Sequence, residues 1–161
     1  MSNSPASKPE QKAIGFQIAR IRTTGFKLNE YNHRPDEPQR SIKLELQYRT
    51  EFNIGTNILS ITIRCYLHYD GELTPENILA DIEVENLFVV EELYKHVIDG
   101  QEDLPAEIWV NMFGLSVSHT RALVSERIAG TTLTNTIIPI INPVELTKAF
   151  LPHKFESEDQ E

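Results

Sequence analysis

Between Ile42 and Phe52 apolar side chains recur at every second position, Ile42, Leu44, Leu46, Tyr48 and Phe52, with Lys43, Glu45, Gln47, Arg49 and Glu51 among the intervening ones. A period of two predicts a strand with one buried and one wet face. Asn53, Gly55 and Asn57 mark a turn, after which Leu59, Ile61, Ile63, Cys65, Leu67 and Tyr69 alternate with Ser60, Thr62, Arg64 and His68, so the two runs predict a hairpin. Asp70-Gly71 is a further turn signal, and a third long strand is expected over residues 78 to 90, where Ala80, Ile82 and Val84 alternate with Asp81, Glu83 and Glu85. Upstream, Ile14, Phe16 and Ile18 keep the same period but Ile21 falls one residue out of step, which predicts a bulge or bend near Arg20. Together these segments predict a four-stranded antiparallel meander.

Beyond Val90 the period changes. Residues 91 to 103 are mixed and acidic, expected to form a long crossover with at most one short helix. Pro105 and Glu107 suit the first turn of a helix, one lacking an N–H that would go unpaired and the other placed at the positive end of the dipole, and Gly130 is placed to stop it. Its apolar residues cover more than half the circumference, enough for two partners, the sheet and a second subunit. The uncharged run from Thr131 to Asn142 is expected to be extended and at least half buried. Asn142-Pro143-Val144-Glu145 combines a capping side chain, a proline at the first helical position and an early acid, and predicts a short last helix that ends by Pro152. The fold class is α+β: a four-stranded antiparallel sheet, a long helix packed on one face, a long crossover and a short C-terminal helix. Residues 1–12 read as a disordered N-terminal tail, 13–151 as one domain and 152–161 as an acidic C-terminal tail.

Composition narrows the function. With 161 residues, 40% hydrophobic and 24% charged, the chain has the balance of a single globular domain rather than a disordered one. No apolar run approaches the roughly 18 residues of a membrane span and no signal peptide opens the chain, so a cytoplasmic location without membrane insertion is expected. The net charge of −9 is uneven, since residues 70 to 107 hold one basic and twelve acidic residues. That sign repels phosphate backbones and anionic lipid, which argues against nucleic acid and for basic partner surfaces.

Candidate chemistry is sparse. The five histidines stand in different elements without a metal-ligand spacing, and the lone Cys65 reads as a buried free thiol. No phosphate loop, nucleophile elbow or zinc-protease motif is present, so neither an enzyme nor a cofactor is expected. Ser116, Ser118, His119 and Ser125 share the long helix and read as polar surface rather than as a nucleophile and base. Asp81, Glu83 and Glu85 share one strand face, read as solvated or as a site for a cation or basic protein. The consecutive apolar residues Leu87, Phe88, Val89 and Val90, with Leu93, Tyr94 and Ile137 to Ile141, cannot all face one core. Another subunit covers them, or they line a groove for an apolar ligand or peptide.

Phe16-Gln17-Ile18-Ala19-Arg20-Ile21, Ile78-Leu79-Ala80-Asp81-Ile82 through Leu87-Phe88, Arg121 to Gly130, and Pro139-Ile140-Ile141-Asn142 with the helix after it resemble segments of SecB, the bacterial protein-export chaperone. The resemblance spans about residues 14 to 151. It implies an ATP-independent holdase without enzymatic activity, assembled as a homotetramer, a dimer of dimers through the long helices. Unfolded or partly folded proteins would bind in grooves formed here by Leu87, Phe88, Val90, Leu93, Tyr94, Ile138, Ile140, Ile141 and Phe150. The family's delivery to the SecA ATPase maps onto Leu79 and Asp81, with Glu83 beside them. Its two acidic first-strand positions fall here on Gly25 and Asn29, and Ser118-His119-Thr120-Arg121-Ala122 replaces an aromatic helix pattern. A dedicated client, for example a toxin-antitoxin pair, therefore stands beside general export, and an oligomeric adaptor without client binding stands beside both. The acidic stretch would rim the groove, keeping it soluble and favouring basic clients.

Overall fold

A computed structural model describes residues 13–30, 36 and 40–156. The expected N-terminal tail, most of the connection after Asn29 and the last residues of the acidic tail lie outside them. Four long strands, β1 (Phe16–Leu28), β2 (Ile42–Asn53), β3 (Ile58–Tyr69) and β4 (Ile78–Val90), form one antiparallel sheet. A 3-10 turn at Leu93–His96 and a small hairpin of β5 (Val97–Ile98) and β6 (Gln101–Glu102) occupy the crossover, followed by α1 (Ala106–Ile128), α2 (Pro143–Phe150) and a 3-10 turn at Pro152–Lys154.

The meander holds for β2, β3 and β4 but not for the whole sheet. The strand order is β1-β4-β3-β2, a Greek key, so β1 lies beside β4 instead of β2. The physical reason is the length of the connection. A two-residue turn would force β1 onto β2, whereas the run from Leu28 to Ile42 is long enough to cross the end of the sheet from one edge to the other. Both ends of that connection are fastened. Asn29 donates from its backbone N–H to Leu79 O at 2.8 Å and from its side chain to Ile78 O at 3.1 Å, and the Asp70 N–H donates to Ser41 O at 3.0 Å.

β1 carries the expected bulge. Its pairing steps from Ile18↔Phe88 to Arg20↔Leu87, and a second step follows from Thr23↔Val84 to Gly25↔Glu83. Each extra residue rephases the strand, so Phe16, Ile18, Ile21, Thr23, Phe26 and Leu28 all stand opposite inward-facing β4 positions. The central strands are the most buried, with Leu59, Ile61, Ile63, Val84, Phe88 and Val90 fully enclosed. α1, about 35 Å long by its residue count, lays Trp109, Met112, Phe113, Val117, Val124 and Ile128 on this face.

The last helix starts as its signature predicts. Asn142 Oδ1 accepts from the Val144 N–H at 2.9 Å, and Pro143 occupies the first turn. Gly114 lets α2 approach α1, since a Cβ there would stand 3.1 Å from Pro143 Cβ. The connector between the helices departs from the expectation of half burial. Ile138 and Ile141 pack inward, whereas Ile137 is 88% and Ile140 87% exposed. Two isoleucine doublets around Pro139 in an extended chain necessarily point to both sides.

Candidate functional site

Between the crossover, α1 and α2 lies a run of aromatic rings. Tyr48 and Phe52 reach it from the helix-facing side of β2, Trp109 and Phe113 from successive turns of α1, and Phe150 from the end of α2. Phe150 stacks on Tyr48 with ring centroids 4.3 Å apart and meets Phe113 edge-on at 5.3 Å. Trp109 stacks on Phe113 at 5.4 Å, and Phe52 meets Trp109 edge-on at 6.2 Å. Tyr48 Oη donates to Phe150 O at 2.8 Å, and burial pushes the phenol above its ordinary pKa. Such pairs each contribute about 0.5–1.5 kcal/mol beyond the area they bury.

The polar edge of this cluster is built on Glu102 of β6. Its Oε2 accepts from Trp109 Nε1 at 3.1 Å and from the Leu104 N–H at 2.9 Å, while Oε1 pairs with Lys154 Nζ at 2.9 Å. The crossover and the C-terminal turn thus meet above the aromatic rings.

The residues expected to line one groove separate into three groups. Phe88, Val90 and Leu93 are fully buried core residues, because they occupy inward positions of β4 and the turn after it, so they offer no surface to a ligand as placed. Ile138, Ile141 and Phe150 are half-buried and pack inward, and Leu87 is half-buried on the opposite side of β4 from Phe88. Tyr94 and Ile140 are open, Tyr94 at 54%. Ile137, in the apolar run singled out from the sequence but not among the groove residues, is exposed as well, and sequence reasoning missed Ile98 at 61% and Val144 at 39%. It also left Tyr48, Phe52, Trp109 and Phe113 unassigned to the site. Nothing local marks the aromatic rings, which come from three distant elements.

Near the start of α1 a cleft of about 850 Å³ is lined by Ile14, Phe16 and Ile108 and by Glu91, Glu92, Asp103 and Glu107, with Lys95 and His96 among them. The acidic excess of the crossover is concentrated there. The β4 acids are different. Arg64 binds Asp81 through two bonds of 2.9 and 2.7 Å, which raises the guanidinium pKa. Thr24 Oγ1 donates to Glu83 at 2.7 Å, and Glu85 accepts from Arg22 at 2.7 Å and pairs with Arg20 at 3.3 Å. The two outer acids of the stripe thus stand in ion pairs and the middle one accepts a hydroxyl. Leu79, the apolar member expected beside these acids, is fully buried because an irregularity in the pairing between Leu67 and His68 puts it into the core. Gly25 stands opposite Glu83, and Asn29 is buried against β4.

Cys65 is buried, which pushes its thiol up to about 12. Ser118 Oγ donates to Gly114 O at 2.7 Å, Ser116 is buried, and His119 Nδ1 meets Asn86 Oδ1 at 2.8 Å rather than a serine. No group of three or more His, Cys, Asp or Glu could hold a metal ion among the described residues, and no helix there is long and apolar enough to cross a membrane.

No protein-family model matches the chain, and no curated protein matches it. Among solved structures it is similar to the Mycobacterium tuberculosis Rv1957 SecB-like chaperone in complex with a ChAD peptide from Rv1956 HigA1 antitoxin. The TM-score is 0.55 at 19% identity, covering 78% of this chain and 89% of that one. The fold is SecB-like. A SecB-like fold accounts for the four-stranded sheet, the long helix across it and the short last helix, and it agrees with the resemblance drawn from the sequence.

Proposed function

We propose that this chain is an ATP-independent holdase that binds unfolded or partly folded protein along the apolar surface of the crossover and the α1–α2 connector. The supporting observation is the exposure of Ile137 at 88%, Ile140 at 87%, Ile98 at 61% and Tyr94 at 54% on the two segments that frame the aromatic cluster. An exposed isoleucine forgoes roughly 1.5–3 kcal/mol of burial, and four large apolar groups left so on ordered backbone fit a surface kept for a partner. An unfolded client offers apolar side chains in many orders, and a surface without a fixed hydrogen-bond pattern accepts them. The SecB-like neighbour holds an antitoxin peptide, which supports peptide binding here and a dedicated client. Delivery to SecA through Leu79, Asp81 and Glu83 is disfavoured by the burial of Leu79 and the pairing of Asp81 with Arg64. The reading assigns no catalytic step and no cofactor. Light scattering from a chemically denatured protein diluted into buffer tests it: equimolar chaperone suppresses the rise, and an unchanged rise at every ratio would refute the reading.

β1 supports a second element of the reading, self-association. It is an edge strand whose helix-side residues Ile18, Ile21 and Phe26 are 41%, 39% and 40% exposed, because α1 lies over β3 and β4. A second copy covering this strip would satisfy both the free edge and the apolar side chains. If the connector and crossover surfaces were consumed in the same way, the protein would be an oligomeric adaptor, and the assembled form would bind neither apolar dyes nor unfolded peptides.

A further inference from the structure

We propose that Arg121 is a carboxylate anchor within the client surface, and that it selects polypeptides carrying an acidic side chain or a free C-terminus beside their apolar residues. The inference rests on the holdase reading and names the class of client that the connector takes.

Arg121 stands in the second half of α1 and reaches the connector. Its Nη2 donates to Ile138 O at 3.3 Å, a long bond to a neutral acceptor, and its Nε is buried with no partner. Other arginines are matched by acids, Arg20 and Arg22 by Glu85 and Arg64 by Asp81; Arg121 has no carboxylate among the described residues. Its own surroundings do not supply one. The side chains a helical residue meets lie three and four positions away, here Val117, Ser118, Val124 and Ser125, and the connector from Thr131 to Asn142 holds no acid. Glu126, five residues on, falls on another face of the helix. Drawing a guanidinium partly out of water without a counter-charge costs free energy, and a long side chain ordinarily avoids that cost by extending into solvent. Arg121 lies against the connector main chain instead. The carbonyl it holds belongs to the residue between Ile137 and Pro139, and Ile137 and Ile140 are the two most exposed large apolar residues among those described. A polypeptide covering these isoleucines therefore passes beside the guanidinium. With Nε turned inward, the edge left for a ligand is Nη1 and Nη2, which a carboxylate can take end-on through two N–H bonds. The acids gathered at the start of α1 do not cancel this attraction. Glu107 is about 21 Å away along the helix axis, well beyond the screening length of about 8 Å at physiological salt.

Three unfolded peptides with one shared apolar sequence test the anchor: one with an internal Glu and an amidated C-terminus, one with Gln in place of that Glu and the same amide, and the Gln peptide with a free C-terminus. In calorimetric titration into the full chain at low salt, at least one of the two peptides that carry a carboxylate is expected to bind about tenfold more tightly than the Gln amide, and the advantage should shrink as salt is raised. Which of the two gains tells a side-chain carboxylate from a C-terminal one. Arg121→Met should bind all three peptides as the parent binds the Gln amide, and should melt no lower than the parent, because it replaces a charge without a partner. Arg121→Lys, which keeps the charge but loses the two-bond fork, should retain only part of the advantage. Equal binding of the three peptides to the parent would overturn the anchor and leave the holdase reading standing, whereas no binding of any peptide to the parent would remove both. An advantage that persists in Arg121→Met would overturn the anchor by assigning the charge to another group. A solution mass that falls in Arg121→Met would also overturn it, since the missing carboxylate would then belong to a second copy.

Discussion

Asn86 lies fully buried on β4 between Ile21 of β1 and Ile61 of β3, with His119 of α1 as the partner of its side-chain oxygen. That pairing holds the imidazole with its proton on Nδ1, and burial lowers its pKa below 6.5. The fold therefore prefers neutral His119, whereas the unfolded chain takes up a proton as pH falls past 6.5. The stability contribution is complete above that value and is lost as pH drops through the lower folded pKa. Thermal melts between about pH 5 and pH 8 should show a smaller acid-side loss for His119→Gln, which retains an amide donor toward Asn86, than for the parent. Equal losses would remove His119 from the account. Cys65, with its thiol pushed up to about 12, should resist iodoacetamide in the native protein at mildly alkaline pH and react on unfolding; native labelling would contradict its enclosure. The sequence made Cys65 legible, since its place in an alternating strand implies burial. His119–Asn86 was not legible, because its partners are 33 residues apart in different elements and neither carries a local motif.

At the scale of elements, strand and helix positions were readable wherever period or cap chemistry was strong. The 42–52 alternation and the Asn142-Pro143 start both fall where the structure has them. Asn142→Ala should cost about 1 kcal/mol and fray α2, seen as a lower denaturant midpoint together with faster exchange in the last helix; no change in either would mean that the cap is idle. Strand order was less readable than strand content. The period of β1 revealed one bulge, but pairing with β4 rather than β2 depends on a connection between strands that have two others, β4 and β3, between them, and no residue pattern specifies that order. The site was legible as a list of apolar segments, not as a surface. Alternation puts Phe88 and Val90 inside, yet their place in a run of four apolar residues made them look available. Leu79 misleads for a related reason: an irregularity in pairing sends it inward, out of the phase that would set it beside Asp81.

For the whole molecule, the acids of β4 and those of the crossover differ in their surroundings. Asp81 and Glu85 are matched by Arg64, Arg20 and Arg22, whereas Glu91, Glu92, Asp103 and Glu107 gather at the cleft beside the start of α1. The open strip on β1 predicts self-association. Ile18→Asp/Ile21→Asp should lower the solution mass measured by sedimentation, with the circular dichroism spectrum unchanged, and an unchanged mass would show that β1 is not a contact. The central claim is that exposed apolar groups on the connector hold non-native protein. Its most direct test is calorimetric titration of a reduced, alkylated protein that cannot refold into the parent chain and into Ile137→Ser/Ile140→Ser. Both positions are almost fully exposed, so the double variant should melt as the parent does, because surface changes of this kind usually stay within about 0.5 kcal/mol. The account predicts that it binds the unfolded protein at least about tenfold more weakly, a loss of about 1.4 kcal/mol. Equal affinity for the two chains would contradict it.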